Sequence, residues 1–412
     1  MRILIVTQYF WPENFRINDL VLELKNRGHE LTILTGKPNY PSGKIYMDFK
    51  KNPENFQEYC GVEVIRAPIL ARSSGFFRLG LNYLSFLIGA TFFGTWSLQK
   101  KSFDLIFVYG PSPITVALPA IFLARIKKIP VVFWVLDLWP ESLSAVGAVH
   151  SKNILKLTGC LVRVIYKNCT LVLGQSQSFV SRIALYCKDK SKIRYYPSWA
   201  EDIFNSKPSK APEVPIKTNS FNIVFAGNIG ESQDMPAILD AAQILKSNSN
   251  IRWLIIGNGS KYKWLQAEVT RRNLESQILT LGRYPIERMP SFYAHADALL
   301  VTLKKEPVFS LTIPAKLQSY LMAGIPVLGM LDGEGAKLIN DAKAGISSPA
   351  SDPEALASSV LQMISKSSSE RDEMGRRGSE HIKKQFNRSL LISKLEDFFN
   401  EAISLYKGKN VK

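Results

Sequence analysis

The chain has 412 residues, 46% hydrophobic and 21% charged, the make-up of a folded protein with room for two cores rather than a disordered one. A net charge of +17 calls for an anionic partner, and it is uneven: the first 200 residues hold 25 Lys and Arg against 12 Asp and Glu, the remainder 27 against 23. No basic stripe with interleaved aromatics is evident, so nucleic acid is not the expected partner.

Met1–Val6 is an apolar run that meets Thr7 and Gln8, the length of a buried strand and too short for a signal segment. Strand-length apolar runs then alternate with helical stretches. In the first half, strands are predicted at Arg2–Gln8, Leu31–Thr35, Val62–Arg66, Asp104–Tyr109, Val131–Val135 and Leu171–Leu173. Helices are predicted at Asn14–Asn26, Pro113–Lys127 and Asn153–Lys167. Residues 204–220, with Pro208, Pro212 and Pro215 among Lys, Ser and Asn, read as a linker. Beyond it come strands at Phe221–Ala226, Ile251–Ile256, Ile278–Leu281, Ala298–Thr302 and Pro326–Gly329. This is the α/β pattern of two Rossmann-like domains, 1–203 and 221–387, with a cleft expected between them and a helix from about 388 to 412 expected to return to the first.

Ligands of such sheets sit beyond the carboxyl ends of the strands. After the first strand, the loop from Thr7 to Asn18 combines aromatics with Glu13, Asn14, Arg16 and Asn18, a mixture suited to stacking on sugar rings and bonding their hydroxyls. The alternative is that Asn14 caps the following helix and the aromatics fill the core. After Val131–Val135 come Asp137 and Glu141, two carboxylates that could orient an acceptor hydroxyl or take its proton. They could equally serve the helix start beside Pro140; Asp137 is the stronger catalytic candidate.

In the second half, Gly227, Asn228, Gly230 and Gln233 form a glycine turn of the kind whose N–H groups receive phosphate oxygens, and the turn at Gly257 is a weaker one. Ser310, Thr312, Lys316 and Gln318 surround a helix start marked by Pro314. A lysine there opposes the helix dipole unless an anion is bound, although a solvated surface lysine would also be tolerated. Aspartates never stand in DxD spacing, the four histidines (His29, His150, His295, His381) are scattered, and Cys60, Cys160, Cys169 and Cys187 form no CxxC pair. No metal or other cofactor is therefore expected, and the thiols read as reduced, in a cytoplasmic protein.

Leu79–Leu98 carries no charge and is flanked by Arg72 and Arg78 on one side and Lys100 and Lys101 on the other. A full membrane span would separate two strands of one sheet. The expectation is a helix partly in the core and partly at an anionic membrane surface, anchored by Phe76, Phe77, Tyr83 and Trp96 with those basic flanks. A wholly buried crossover helix is the alternative.

Arg27-Gly28-His29-Glu30, Gly61–Arg66, Leu281-Gly282-Arg283 and Ala323–Val327 resemble recurring blocks of the family 4 GT-B glycosyltransferases. QYFWPENFRINDL, LTGKPNYPSGK, DLWPESLSA, Ser198–Asp202 and FSLTIPAKLQSY further resemble the WbuB-type transferases of O-antigen and capsule assembly. The resemblance implies a GT-B fold with two domains facing each other across a cleft. It also implies a UDP-sugar donor carrying N-acetyl-L-fucosamine or another N-acetylhexosamine. The acceptor would be a lipid-linked saccharide on a polyprenyl diphosphate, used at the cytoplasmic face of the bacterial inner membrane. The resemblance places the uracil near Arg283 and Tyr284, whereas the donor diphosphate is expected at Lys316 from the helix-start conflict, and acceptor contacts at the Glu13–Asn18 loop with Asn39 and Tyr40 from its place beyond a strand end. The chain departs from the family at Leu311 and Ser319, where a glutamate pair is usual, at Asn228 and Gln233 in place of Arg and Lys, and at Leu136 in place of His. A non-hydrolysing UDP-sugar epimerase would share the two-domain design but would not need the apolar helix.

Overall fold

The computed structural model describes residues 1–410 apart from 42, 73–75, 146–148, 150 and 207. It divides into two compact units, residues 1–197 with 389–412, and residues 198–388. His150 lies outside the described residues, as do the side chains of Phe76 and Phe77.

The first unit is built on eight strands: β1 (Arg2–Val6), β2 (Glu30–Gly36), β3 (Glu58–Tyr59), β4 (Val62–Ala67), β5 (Leu105–Gly110), β6 (Val131–Val135), β7 (Leu171–Gly174) and β8 (Ile193–Tyr195). Their order in the sheet is β3-β4-β2-β1-β5-β6-β7-β8, all parallel except the β3/β4 pair. β5, β6 and β7 are buried at every residue, as expected of a parallel sheet covered on both faces. The second unit has six parallel strands, β9 (Phe221–Ala226), β10 (Ile251–Ile256), β11 (Ile278–Gly282), β12 (Ala298–Thr302), β13 (Val327–Met330) and β14 (Gly345–Ser348), in the order β11-β10-β9-β12-β13-β14. In each sheet the first strand lies centrally and the chain runs out to both sides. The switch points therefore fall beyond β1 and β5 in one unit and beyond β9 and β12 in the other.

The helix Arg16–Asn26 buries Ile17, Leu20, Val21 and Leu24, one stripe at helical spacing. It begins two residues later than expected, with Phe15 at its N-cap, so exposed Asn14 is not the cap. The helix Phe76–Leu98 packs closely on the first sheet because two glycines allow it. A Cβ on Gly89 would stand 2.3 Å from the Pro68 carbonyl oxygen, and one on Gly94 would stand 2.7 Å from Leu34. Phe86, Ala90 and Leu98 are buried on that side, whereas Leu84, Ile88, Phe92 and Trp96 are exposed. Among the described residues no helix is long and apolar enough to cross a membrane.

Two features differ from the sequence reading. The stretch 204–220 belongs to the second unit and is packed against it: Phe204, Ala211 and Val214 are buried, and Ala211 exchanges hydrogen bonds with the Ser291 carbonyl and the His295 ring. Its proline-rich composition resembles a linker because few of its residues carry the contact. The unit boundary falls earlier, at Pro197/Ser198. The four cysteines are free thiols, Cys169 and Cys187 buried.

The C-terminal helix Arg388–Asn410 is fastened to the first unit by a polar clamp. Arg27 reaches Glu396 Oε2 and Ser393 Oγ at 2.8 Å each and the Ser389 hydroxyl at 2.9 Å, while His29 Nε2 lies 2.7 Å from Glu396 Oε1. Because these groups are about four-fifths covered, the substitution Arg27→Ala is expected to cost about 2 kcal/mol. Faster hydrogen exchange across residues 389–410 than across the second unit is the measurement that checks it.

Candidate functional site

In the second unit the turns after β9 and β10 are pressed together. Gly227 and Gly257 have φ of +148° and +142°, and a Cβ on Gly257 would stand 1.8 Å from the Gly227 carbonyl oxygen. Only glycine at these positions lets the two loops touch. The turn is tied from behind by Gly227 N–H to Ile256 O, Ile229 N–H to Asn258 O and the Thr302 hydroxyl to Gln233 O.

Against this turn lies Lys316, in the first turn of the helix Ala315–Met322. Its ammonium stands 3.9 Å from the centroid of the Phe225 ring and 3.0 Å from where a Gly227 Cβ would sit, and it donates to Gln233 Oε1. Burial pushes its pKa down to about 7. Among the described residues no carboxylate forms an ion pair with it. An ammonium so placed has a ring face and an amide oxygen for company, and it lacks a counter-charge that a bound diphosphate would supply.

The structure thus gathers Gly227, Gln233, Gly257 and Lys316 at the switch point of the second sheet, with Asn228 and Gly230 in the same turn. Arg283 is exposed in the loop after neighbouring β11, and Tyr284 packs on Phe292 at 4.6 Å between ring centroids. Three of the expected donor residues point elsewhere. Gln318 donates to the Ser198 carbonyl at 2.8 Å, holding a distant segment, while Ser310 donates to Pro307 O at 2.7 Å and Thr312 to Val308 O at 3.3 Å, each fixing local backbone. Phe225, the platform under Lys316, went unnoticed in the sequence because it reads as an ordinary core strand residue.

In the first unit, Glu13 is 2% exposed and accepts three backbone N–H groups, from Asn39 at 2.7 Å, Tyr40 at 2.6 Å and Phe10 at 3.2 Å. Burial pushes its pKa up to about 7 against the pull of those bonds and of Arg66. Asn18 bridges the Trp11 N–H and the Glu13 carbonyl, and Asn39 bridges the Lys37 carbonyl and the Arg72 N–H. Glu13, Asn18 and Asn39 are therefore positioning residues that weld the loops after β1 and β2. They carry partly open Tyr40, whose ring lies 5.3 Å from Phe15 and 5.5 Å from the Arg72 guanidinium. Asn14 is exposed and Arg16 partly so on the same loop.

Asp137, after β6, accepts from Ser142, from Ser112 and from Trp139 Nε1 at 3.3 Å, while burial raises its pKa. Ser112 also bonds Tyr83, whose ring is 6.3 Å from Trp139. Tyr83, expected as a membrane anchor, instead faces inward and joins Ser112 and Asp137 at the ends of β5 and β6, so its hydroxyl finds polar partners. Glu141 turns away from Asp137, accepting from Arg182 at 2.7 Å and from the Tyr186 hydroxyl at 3.3 Å. It anchors the helix Gln177–Ile183 and is not part of a carboxylate pair with Asp137. Among the described residues no cluster suited to a metal ion occurs.

The raised pKa of Glu13 ties stability to pH. The folded protein holds this proton more tightly than the unfolded chain, so the group's contribution is largest below about pH 4.5 and falls as pH rises to about 7, by about 3 kcal/mol. Glu13→Gln cannot ionise; its unfolding free energy relative to the parent should rise across that window, as followed by denaturant titrations. A constant difference would show that Glu13 ionises normally.

Comparison with known proteins agrees with this geometry. Residues 14–199 match the Glycosyl transferase 4-like domain and residues 206–381 match Glycosyl transferases group 1. A protein of Escherichia coli (strain K12) named as a colanic acid biosynthesis glycosyl transferase, WcaI, is 22% identical over 339 residues, covering 79% of this chain and 82% of that protein. Among solved structures, sucrose-phosphate synthase from Thermosynechococcus elongatus superposes with a TM-score of 0.75 at 14% identity, over 98% of this chain and 99% of that one. HepE of Anabaena, in complex with UDP and glucose, gives 0.69 at 16% identity, over 97% and 99%. The chain is a glycosyltransferase of the GT-B fold, with a glycosyl transferase 4-like domain followed by a group 1 domain.

Proposed function

We propose that the chain is a retaining transferase that moves N-acetyl-L-fucosamine, or another N-acetylhexosamine, from a UDP-sugar to a polyprenyl-diphosphate-linked saccharide. The reaction belongs to O-antigen, capsule or exopolysaccharide assembly and takes place at the cytoplasmic face of a bacterial inner membrane. The observation that carries this reading is the Lys316 ammonium, held against the glycine turn at the switch point with no carboxylate partner among the described residues. HepE, of the same fold, binds UDP.

In this reading the donor diphosphate lies across the turn Gly227–Gln233 and on Lys316, with uracil near Arg283 and Tyr284. As the glycosidic bond breaks, negative charge grows on the departing UDP. A preformed ammonium in a site poor in water stabilises that charge more than it stabilises the bound donor. No metal is required for this. The acceptor hydroxyl attacks on the face the UDP leaves, and a phosphate oxygen receives its proton. Asp137 positions Ser112 and Tyr83 around the acceptor, whose sugar stacks on partly open Tyr40, itself packed on Phe15.

Membrane attachment is supported by the outer side of the helix Phe76–Leu98. Leu84, Ile88, Phe92 and Trp96 are between 49% and 72% exposed, with Lys100 and Lys101 just beyond the helix end. The apolar surface continues onto the next helix, Ala117–Lys127, through Phe122 and Ile126, and onto Lys152–Asn168 through Leu157 and Val164, beside Lys156, Arg163 and Lys167. Such a mixture suits insertion into an anionic interface.

Incubation with a panel of UDP-sugars and a polyprenyl-diphosphate-GlcNAc acceptor, read by mass spectrometry, tests the reaction; transfer from no UDP-sugar would refute it. Lys316→Met should lower kcat by about 100- to 1000-fold with the fold intact. Donor binding should also weaken with pH. Lys316 must be protonated, and a UDP-sugar diphosphate does not titrate in this range. With a pKa of about 7, the donor Kd should rise roughly 30-fold between about pH 6 and about pH 8.5 in calorimetry, and the Lys316→Met variant should lose that dependence.

A further inference from the structure

Among the described residues Lys316 has one hydrogen-bond acceptor, Oε1 of Gln233. A lysine ammonium only donates, so the Gln233 amide must turn its oxygen to it, and Nε2 then faces the Ser232 hydroxyl at 3.1 Å. Gln233 is 9% exposed and is fixed at the switch point by its backbone. Its N–H reaches the Gly230 carbonyl at 3.2 Å, and its carbonyl receives the buried Thr302 hydroxyl from the end of β12 at 2.5 Å. The neighbouring Ser232 carbonyl receives the Lys304 N–H at 2.9 Å. The amide therefore stands on a fixed base between the ends of β9 and β12, whereas Lys316 comes from a separate element, the helix Ala315–Met322.

The carboxylates of the same turn are engaged elsewhere. Glu231 takes Lys261 at 2.8 Å and Lys304 at 3.3 Å, and Asp234 accepts from the Ser351 hydroxyl. Phe225 offers the ammonium its ring face, and Tyr320, on the same helix as Lys316, is bonded to the Ala226 backbone. Among the described residues no charged side chain offsets the effect of burial on Lys316. An amide oxygen aims an ammonium without neutralising it. A carboxylate in its place would neutralise it and would repel an arriving diphosphate. We infer that Gln233 is a positioning residue for the donor: it keeps the Lys316 ammonium charged and aimed but free of a counter-charge, so residue 233 sets the pH range over which the diphosphate is gripped. This rests on the proposed UDP-sugar donor and adds what holds the cation that meets it.

The test uses the full chain and two readouts. NMR titration of the lysine ε-carbons in the ligand-free protein follows the ammonium itself, the Lys316 signal being the one lost in Lys316→Met. Calorimetry with UDP-N-acetylglucosamine across pH follows the donor site. In Gln233→Leu the charged form loses its acceptor, so the Lys316 titration should move about one unit toward acid. Donor affinity should follow it, falling about 10-fold below the parent's at about pH 8 and much less at about pH 6. In Gln233→Glu the titration should move above about pH 8.5, and donor affinity at about pH 6 should drop about 10-fold or more and lose its pH dependence. A melting midpoint matching the parent's certifies each fold, and Gln233→Met serves if Gln233→Leu melts early. A Lys316 titration unchanged in both variants would overturn the inference. So would an affinity lowered equally at every pH in Gln233→Leu, which would make Gln233 a plain donor contact. Failure of the donor reading shows separately: the Lys316 titration would shift in the variants while neither UDP-N-acetylglucosamine nor UDP bound the parent.

Discussion

A half-buried ammonium that pairs with no carboxylate among the described residues is costly to build, and the second unit is arranged around one. Lys316 lies on the Phe225 ring and the Gln233 amide oxygen, in a position that opposes both its own desolvation and the dipole of the helix that carries it. Everything nearby follows from holding it there. The two glycine turns must touch so that the floor beneath the ammonium is backbone. Tyr320 must exchange hydrogen bonds with both the N–H and the carbonyl of Ala226, fixing the helix Ala315–Met322 to the end of β9. The charge is poised for an anion that arrives and leaves, which is what a nucleotide leaving group does.

The first unit solves a different problem by a related device. Its loops are held by one buried carboxylate, Glu13, that gathers three N–H groups from two segments far apart in sequence. Holding the loops in this way leaves the ring of Tyr40 partly open. Asp137 is likewise engaged, its oxygens bonded to Ser142, Ser112 and Trp139.

Much of the fold was legible because buried parallel strands are apolar nearly throughout, with few polar residues such as Asn222 and Arg252 inside their bounds. β6, β9, β10 and β12 begin and end where the apolar runs do. β3, β8 and β14 escaped notice because they are short edge strands, half covered and mixed in character, as in Gly345-Ile346-Ser347-Ser348. Lys316 was legible through a local conflict, a cation at a helix start. Tyr83 was not, because its meaning depends on Ser112 and Trp139, brought to it only by the sheet. Glu13 looked like a ligand for sugar because a sequence shows a carboxylate in a loop and conceals the N–H groups it satisfies. The stretch 204–220 misled for the opposite reason, since a few buried residues such as Ala211 and Val214 outweigh a polar, proline-rich remainder.

The first unit is discontinuous, and that has a consequence for how the protein is made. Its last element, Arg388–Asn410, brings Phe399 onto Phe107 and Phe398 onto Tyr196, yet it is synthesised only after all of residues 198–388. At about 5 to 20 residues per second, the nascent chain waits about 10 to 40 seconds with that aromatic floor uncovered. The second unit, being continuous, can close on itself in the interval. Birth order is thus inverted: the half that reads first in the gene is the half completed last.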